Sequence, residues 1–153
     1  MITEVFLSDE VIASQLQAVL QAGYASEAAI IAHPDFPPLR ESLADLRRSS
    51  DQFLVFRKGG KVVGVVSFFC DAGCIRTTRL VVHPDYHRQG IASALLAELE
   101  RRFESATSFA VSTAKDNLPA IRLYEQFGYV PNSTTHSAEG ILLVHLTKRR
   151  SAR

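Results

Sequence analysis

The stretch 79–103, RLVVHPDYHRQGIASALLAELERRF, constrains the fold more than any other part of the sequence. It begins with a β-branched run that is typical of a buried strand. Pro84 ends that strand, because proline cannot donate a hydrogen bond to a neighbouring strand. A helix is predicted from about Gly90. The apolar residues of its buried face recur every four positions, at Ile91, Leu95, Leu99 and Phe103.

The start of this predicted helix lacks the side chains that usually cap a helix. The first N–H groups of a helix have no partner within it and are commonly bound by Ser, Thr, Asp or Asn. Here the preceding residues are His87, Arg88, Gln89 and Gly90. Cations at the positive end of a helix are unfavourable unless an anion lies beside them, and a glycine lets a phosphate approach the backbone. The pattern fits a phosphate site, and equally an ordinary strand–turn–helix with a glycine for packing.

Length and composition indicate one globular domain. The chain has 153 residues, of which 46% are hydrophobic and 22% charged, enough to bury a substantial core. The net charge of +1 indicates neither a nucleic-acid-binding nor a membrane-binding surface. Four of the 17 basic residues lie in 148–153, predicted as a basic tail after a single domain at 1–147. The rest of the chain has 13 basic and 16 acidic residues, and this small excess of negative charge weakly favours a cationic substrate.

Targeting and metal-binding patterns are not found in the sequence. There is no basic N-terminus followed by an apolar run, and no apolar stretch of about 18 residues, so a cytoplasmic protein is predicted. Cys70 and Cys74 flank a predicted hairpin turn and are expected to be free thiols, with a cross-strand disulfide as the alternative. Neither they nor His33, His136 and His145 have metal-ligand spacing, so no metal is predicted and these histidines are taken as structural.

The rest of the chain predicts alternating strands and helices. The first predicted helix is capped by Ser8 or Asp9 and ends at Gly23, and a second helix is marked by Leu39, Leu43 and Leu46. A short helix capped by Asp116 or Asn117 is predicted to end just before Gly128. Predicted strands cover 2–6, 52–57, 62–70, 74–83, 108–113, 129–131 and 140–147, with a polar loop at 132–139. Strands 74–83 and 108–113 should be parallel, because a helix connects them.

Two separated motifs resemble the GNAT superfamily of acetyl-CoA-dependent N-acetyltransferases. The first is LVVHPDYHRQGIASALLA at 80–97, and the second is NLPAIRLYEQFGY at 117–129. The predicted order of strands agrees with that family over the whole chain. The resemblance implies a single-domain GNAT-like fold of α/β (α+β) class, with a mixed central sheet of about six to seven strands and about four helices. It also implies an acyltransferase that uses acetyl-CoA as a co-substrate.

The resemblance further implies which residues bind coenzyme A. The family's pyrophosphate loop corresponds to 87–92, with Ser93 opening the helix beside it. The backbone at 80–82 pairs with the pantetheine arm in the family, and Asn117 lies near that arm. The implied coenzyme A-binding residues are Leu80, Val81, Val82, His87, Arg88, Gln89, Gly90, Ile91, Ala92, Ser93 and Asn117. Tyr124 corresponds to the family's tyrosine general acid.

Two positions depart from the family's pattern. His87 stands where the family usually has Gln or Arg, and it is either a pH-dependent phosphate contact or an uncharged spacer. Many members carry a carboxylate on the central strand, whereas 74–79 has none here. The general base is therefore unassigned, with Asp35, Asp71, His83 and a water chain as candidates.

These features predict direct transfer of an acetyl group from acetyl-CoA to the primary amine of a small molecule, with Tyr124 protonating the leaving thiolate. Two alternatives stay open: an acetyltransferase of a protein N-terminus or lysine, and a non-catalytic acyl-CoA-binding module. The predicted partners are acetyl-CoA and an amine acceptor, with no nucleic acid and no membrane. A homodimer, common in the family, is also left open.

Overall fold

The computed structural model describes residues 1–150. Within them lie seven strands: β1 (Ile2–Val5), β2 (Gln52–Lys58), β3 (Lys61–Asp71), β4 (Cys74–Val82), β5 (Ser108–Ala114), β6 (Val130–His136) and β7 (Leu142–Arg149). The α-helices of this part of the chain are α1 (Glu10–Ile30), α2 (Leu43–Arg48), α3 (Ile91–Arg102) and α4 (Leu118–Gln126). Short 3₁₀ helices occupy Pro37–Arg40 and Pro84–Tyr86.

The strands form one mixed sheet in the order β1-β2-β3-β4-β5-β7-β6. All neighbouring strands are antiparallel except β4 and β5, which are parallel. Helix α3 connects these two strands, as a parallel pair requires. The predicted single-domain fold with a mixed sheet and a central parallel pair is confirmed.

The parallel pair is short. β4 pairs with β5 only through Cys74, Ile75 and Arg76, whereas its pairing with β3 continues to Val82. Within residues 1–150, the edge of β4 that faces β5 therefore has no strand partner beyond Arg76. The opening lies towards the carboxyl end of β4, where ligands commonly bind in open α/β sheets.

Hydrophobic residues are buried on both faces of the sheet. Val65 and Val66 are adjacent in β3 and so point to opposite faces, and they lie in two different hydrophobic clusters. Helix α3 contributes Leu95, Leu96 and Leu99 to one cluster. Helix α1 contributes Ala13, Leu16, Val19 and Leu20 to the other. The two layers of helices therefore fix the sheet between them.

Helix α1 extends beyond the glycine that was predicted to end it. Asp9 caps the helix, which continues through Gly23 to Ile30. A Cβ atom at Gly23 would lie 2.1 Å from Cγ1 of Val81. Gly23 therefore permits close contact between α1 and β4, and the prediction that it terminates the helix is wrong.

The predicted polar loop at 132–139 is also wrong over most of its length, because β6 occupies Val130–His136 and pairs with β7. Every residue of β6 is exposed, and β6 is an edge strand of the sheet. A strand with no buried face has no hydrophobic alternation, so its sequence is not distinguishable from that of a polar loop.

Strand β7 continues into the segment predicted as a basic tail. Lys148 and Arg149 belong to the strand, and Lys148 Nζ donates a hydrogen bond to Glu100 Oε1 at 2.7 Å. The last part of the predicted tail, 151–153, lies outside the described residues.

Cys70 and Cys74 lie at the hairpin between β3 and β4 with no disulfide between them. Among residues 1–150, no cluster of three His, Cys, Asp or Glu side chains is arranged to hold a metal ion. No helix in the same residues is both long and apolar enough to cross a membrane.

Candidate active site

Helix α3 begins without a capping side chain, as predicted. Its N-cap residue is Gly90, whose φ of 75° lies in the left-handed region. Arg88 also has a left-handed φ, 64°, although it is not a glycine. Such backbone conformations cost about 1–3 kcal/mol and cluster at functional sites. A Cβ atom at Gly90 would have no neighbour within 4 Å, so the loop faces open space there.

Side chains fasten this loop to two strands. The imidazole Nε2 of His87 donates a hydrogen bond to the backbone oxygen of Val82 at 3.0 Å. Gln89 Oε1 accepts a hydrogen bond from Lys58 Nζ, at the end of β2. His87 thus has a structural role that the sequence did not reveal, whatever its contact with a ligand.

A cavity of about 660 Å³ lies against the loop, the carboxyl end of β4 and helix α4. Of the predicted coenzyme A-binding residues, those that line it are Leu80, Val81, Val82, His87, Arg88, Gly90, Ile91, Ala92, Ser93 and Asn117. Gln89 does not line it. Tyr124, the predicted acid, does.

A second cavity, of about 270 Å³, adjoins the first on the side of α1 and the loop that follows it. Its wall includes Phe36, Pro37 and Pro38. Ile141 and Leu143 add further apolar surface.

A β-bulge in β4 shapes this second cavity. Ser67 of β3 pairs with Arg79 and Phe68 pairs with Thr77, so Thr78 is an extra residue in β4. Bulges are frequent beside active sites, where they redirect side chains. Thr77 Oγ1 is buried without a hydrogen-bond partner, and Thr77 lines the cavity.

The positive charge of Arg79 beside the cavity is already neutralised. Arg79 binds Glu41, with Nε–Oε1 at 3.2 Å, and its Nη1 lies 3.1 Å from Asp51 Oδ2. Only 13% of its side chain is exposed. Arg79 therefore fixes the segment after the Pro37–Arg40 turn to the sheet, rather than offering a free cation to a ligand.

Glu27 was missed by the sequence reasoning. It lies on α1, beyond the glycine that was expected to end this helix, and it lines both cavities. Asn117 caps α4 through Oδ1, which accepts from Ala120 N at 3.4 Å, and its Nδ2 donates to Glu27 Oε1 at 3.1 Å. Burial raises the pKa of the Glu27 carboxyl above its ordinary value, and the Asn117 hydrogen bond partly opposes that rise.

Tyr124 belongs to the core and to both cavities. It is 5% exposed, its ring packs on Tyr129 with centroids 5.5 Å apart, and it lines each cavity. Burial, followed by the negative charge of Glu27, raises the pKa of the Tyr124 phenol above its ordinary value. The phenol therefore stays protonated and is available as a hydrogen-bond donor.

The base candidates named from the sequence lie elsewhere. Asp71 pairs with Arg76 at the β3–β4 hairpin, 3.3 Å away. Asp35 borders a separate surface cavity. His83 Nδ1 accepts a hydrogen bond from the backbone N–H of Asp85 at 3.1 Å. Among residues 1–150, these three do not line either of the two adjoining cavities.

The geometry defines a class of protein: a mixed α/β sheet that opens between two parallel strands into two adjoining clefts, one beside a glycine loop at a helix start. The chain belongs to the acetyltransferase (GNAT) family, whose model matches residues 18–129.

The chain is also similar to individual proteins. The UPF0157 protein YqkA of Bacillus subtilis (strain 168) is 38% identical over 141 residues, which cover 91% of this chain and 41% of that protein. Acetyltransferase SG1711 of Sodalis glossinidius (strain morsitans) is 34% identical over 86 residues, 55% of this chain and 61% of that protein. The chain thus spans less than two thirds of the length of these relatives.

Solved structures share the fold. The PaiA N-acetyltransferase of Thermoplasma acidophilum, in complex with coenzyme A, superposes with a TM-score of 0.77 at 15% identity. The alignment covers 98% of both chains.

Proposed function

We propose that this chain transfers an acetyl group directly from acetyl-CoA to the primary amine of a small molecule, and that Tyr124 protonates the leaving thiolate. The observation that carries the proposal is that two cavities adjoin at Tyr124. In the proposed complex the larger cavity holds the thioester and the smaller one holds the amine.

The coenzyme A side of the proposal rests on the start of α3. Gly90 and the first residues of α3 line the first cavity together with Arg88, and no side chain caps the backbone N–H groups of this helix start. An anionic diphosphate satisfies those N–H groups and the positive end of the helix together. The unpaired edge of β4 after Arg76 offers backbone groups for an amide-bearing arm such as pantetheine.

The acceptor side rests on size and charge. A cavity of about 270 Å³ suits a small ligand. Its ionisable lining includes the carboxyl groups of Glu27 and Glu139, while Arg79 is neutralised by its own partners. The balance of charge therefore favours a cationic amine, and the apolar wall at 36–38 favours one with an apolar body.

The chemistry needs no covalent enzyme intermediate. Holding amine and thioester within attack distance contributes up to about 7–11 kcal/mol in well-oriented systems. Tyr124 then donates its proton to the sulfur as the C–S bond breaks.

Release of free thiol from acetyl-CoA tests the proposal, in the presence of 2-phenylethylamine, tyramine, spermidine, or peptides with a free N-terminus or lysine. We expect thiol release above the amine-free rate, with acetylated amine detected by mass spectrometry. Preferential acetylation of the peptides would contradict a small-molecule acceptor and favour a protein N-terminus or lysine. Binding of acetyl-CoA without acetylation of any of these amines would contradict catalysis and favour a binding module.

A further inference from the structure

The two cavities share a wall, and any reaction between their ligands must take place there. The residues that line both cavities are Glu27, Leu80, Val81, Asn117, Ala120 and Tyr124. Leu80, Val81 and Ala120 offer apolar side chains and backbone groups, and Asn117 does not titrate. The ionisable side chains of the shared wall are thus those of Glu27 and Tyr124.

We propose that Glu27 is the general base, which accepts the proton of the acceptor amine as its nitrogen attacks the thioester. The inference rests on the proposed function and supplies the base that the central strand of this chain lacks. Tyr124 does not serve as a base, because its phenol stays protonated near neutral pH. Glu27 is then the proton acceptor in the shared wall.

Asn117 holds Glu27 in place for this role. The amide Nδ2 donates to Oε1 at 3.1 Å, while the Asn117 side-chain oxygen caps α4. One side chain thereby ties the end of α1 to the start of the helix that carries Tyr124. The hydrogen bond engages Oε1, and Oε2 is the oxygen left for the amine.

Other carboxylates near the cavities are occupied or remote. Glu41 and Asp51 both bind Arg79. Glu139 lines the second cavity but is exposed at its rim. Among residues 1–150, Glu27 makes no ion pair, so its charge is not compensated by a side-chain cation. A partly buried carboxylate without a cation both attracts an ammonium group and accepts a proton closer to neutral pH.

The charged and titratable groups that border the same two cavities come from every surrounding element. Besides Glu27, they are Tyr24 on α1, Arg79 on β4, Tyr86, His87 and Arg88 between β4 and α3, Tyr124 on α4, and Glu139 between β6 and β7. Arg79 is held by its own carboxylates, and burial raises the pKa of Tyr24. The pH dependence assigned to Glu27 is therefore tested by substituting Glu27 itself.

The proposed step moves one proton from nitrogen to sulfur. The amine nitrogen forms a bond to the carbonyl carbon, and its proton passes to the Glu27 carboxylate. The C–S bond then breaks, and the thiolate takes the proton of Tyr124. Protonated Glu27 no longer carries the charge that raises the pKa of Tyr124, so the phenol is a stronger acid when the thiolate leaves. The proton on Glu27 finally restores the phenol.

Glu27→Gln tests the inference, because it removes the charge while Gln Oε1 still accepts the Asn117 hydrogen bond. With the most active amine of the panel, we expect kcat to fall by about 10²–10⁴-fold near neutral pH. Acetyl-CoA affinity should stay within a few-fold of wild type. In wild type, kcat should rise with pH through the Glu27 pKa, above the ordinary glutamate range, and this rise should be absent from the variant.

Two further variants separate a base from a structural role. Glu125→Gln removes a charge from an exposed position of α4 and should leave kcat and its pH profile unchanged. Glu27→Asp keeps a carboxylate and should retain the rise of kcat with pH at a lower maximum. If Glu27→Gln has the same kcat and pH profile as wild type, Glu27 is not the base, although acetyl transfer itself would stand.

A readout without turnover keeps the two proposals distinguishable. The ¹³C signal of the Glu27 side-chain carboxyl, followed by NMR with coenzyme A bound, should titrate above the ordinary glutamate range and shift when 2-phenylethylamine is added. An unshifted signal at saturating amine would overturn the inference. Absence of acetylation by wild type, with the shift present, would instead contradict the proposed function alone.

Discussion

At the scale of single residues, Tyr124 shows how one side chain satisfies two interpretations of the same pattern. Its spacing with Ala120, Leu123 and Phe127 predicts a core aromatic, and its place after Leu123 resembles the family's acid. Both positions are compatible in the structure, because Tyr124 is buried against Tyr129 and also lines the two cavities. Burial and the negative charge of Glu27 raise the pKa of its phenol above the ordinary value.

Tyr124→Phe is expected to lower turnover by about 10²-fold or more, as for loss of a positioned general acid. The ring and its packing are kept, so acetyl-CoA affinity and melting temperature should barely change. Tyr129→Phe is the matched control, since its hydroxyl is buried without a hydrogen-bond partner and is outside both cavities. Normal turnover in Tyr124→Phe, with chemistry shown to be rate-limiting, would remove the phenol from the mechanism.

Gly90→Glu is expected to abolish coenzyme A binding, measured by calorimetry. The substitution places an anionic side chain in the open space that the proposed diphosphate needs. Gly90→Ala is the control for backbone strain, because it carries the left-handed cost of about 1–2 kcal/mol without the charge. It should bind coenzyme A more weakly than wild type but measurably. Full affinity in Gly90→Glu would mean that the phosphates bind elsewhere.

At the scale of elements, local signals were sufficient for the central strand, its loop and α3. Proline, glycine and a four-residue apolar repeat are all within one stretch of sequence, so no distant contact was needed to interpret them. The end of α1 could not be predicted in this way, because Gly23 is explained by Val81, which is distant in sequence. Glu27 was missed for the same reason: its partner Asn117 is separated from it by 90 positions.

Gly23→Ala is expected to destabilise the protein, measured by denaturant unfolding. Alanine is about 1 kcal/mol more favourable than glycine in a helix. Inserting a methyl group into a packed contact, however, destabilises the fold by about 1–3 kcal/mol. The added Cβ atom would lie only 2.1 Å from Cγ1 of Val81, which places this site at the upper end of that range. Combining it with Val81→Ala should cost less than the sum of the two single changes. Simple additivity of the two changes would show that this contact is not what requires the glycine.

At the scale of the whole molecule, acetyl-CoA should stabilise the fold. A ligand at a hundred times its dissociation constant adds about 2.7 kcal/mol to the free energy of unfolding, because it binds only the folded state. The measurement is the melting temperature with and without millimolar acetyl-CoA. An unchanged melting temperature would contradict acetyl-CoA binding, whereas stabilisation without turnover would leave a binding module.

The brief pairing of β4 with β5 has a mechanical consequence. Strands β1–β4 form one block and β5, β7 and β6 another, and three residue pairs join their backbones. A pantetheine arm lying along the unpaired edge of β4 would take the position of a missing strand and tie the blocks together. While it is bound, the substrate would then contribute to holding the two parts of the sheet together. Departure of coenzyme A would loosen the molecule once in every cycle, so product release would be coupled to the opening of the sheet itself.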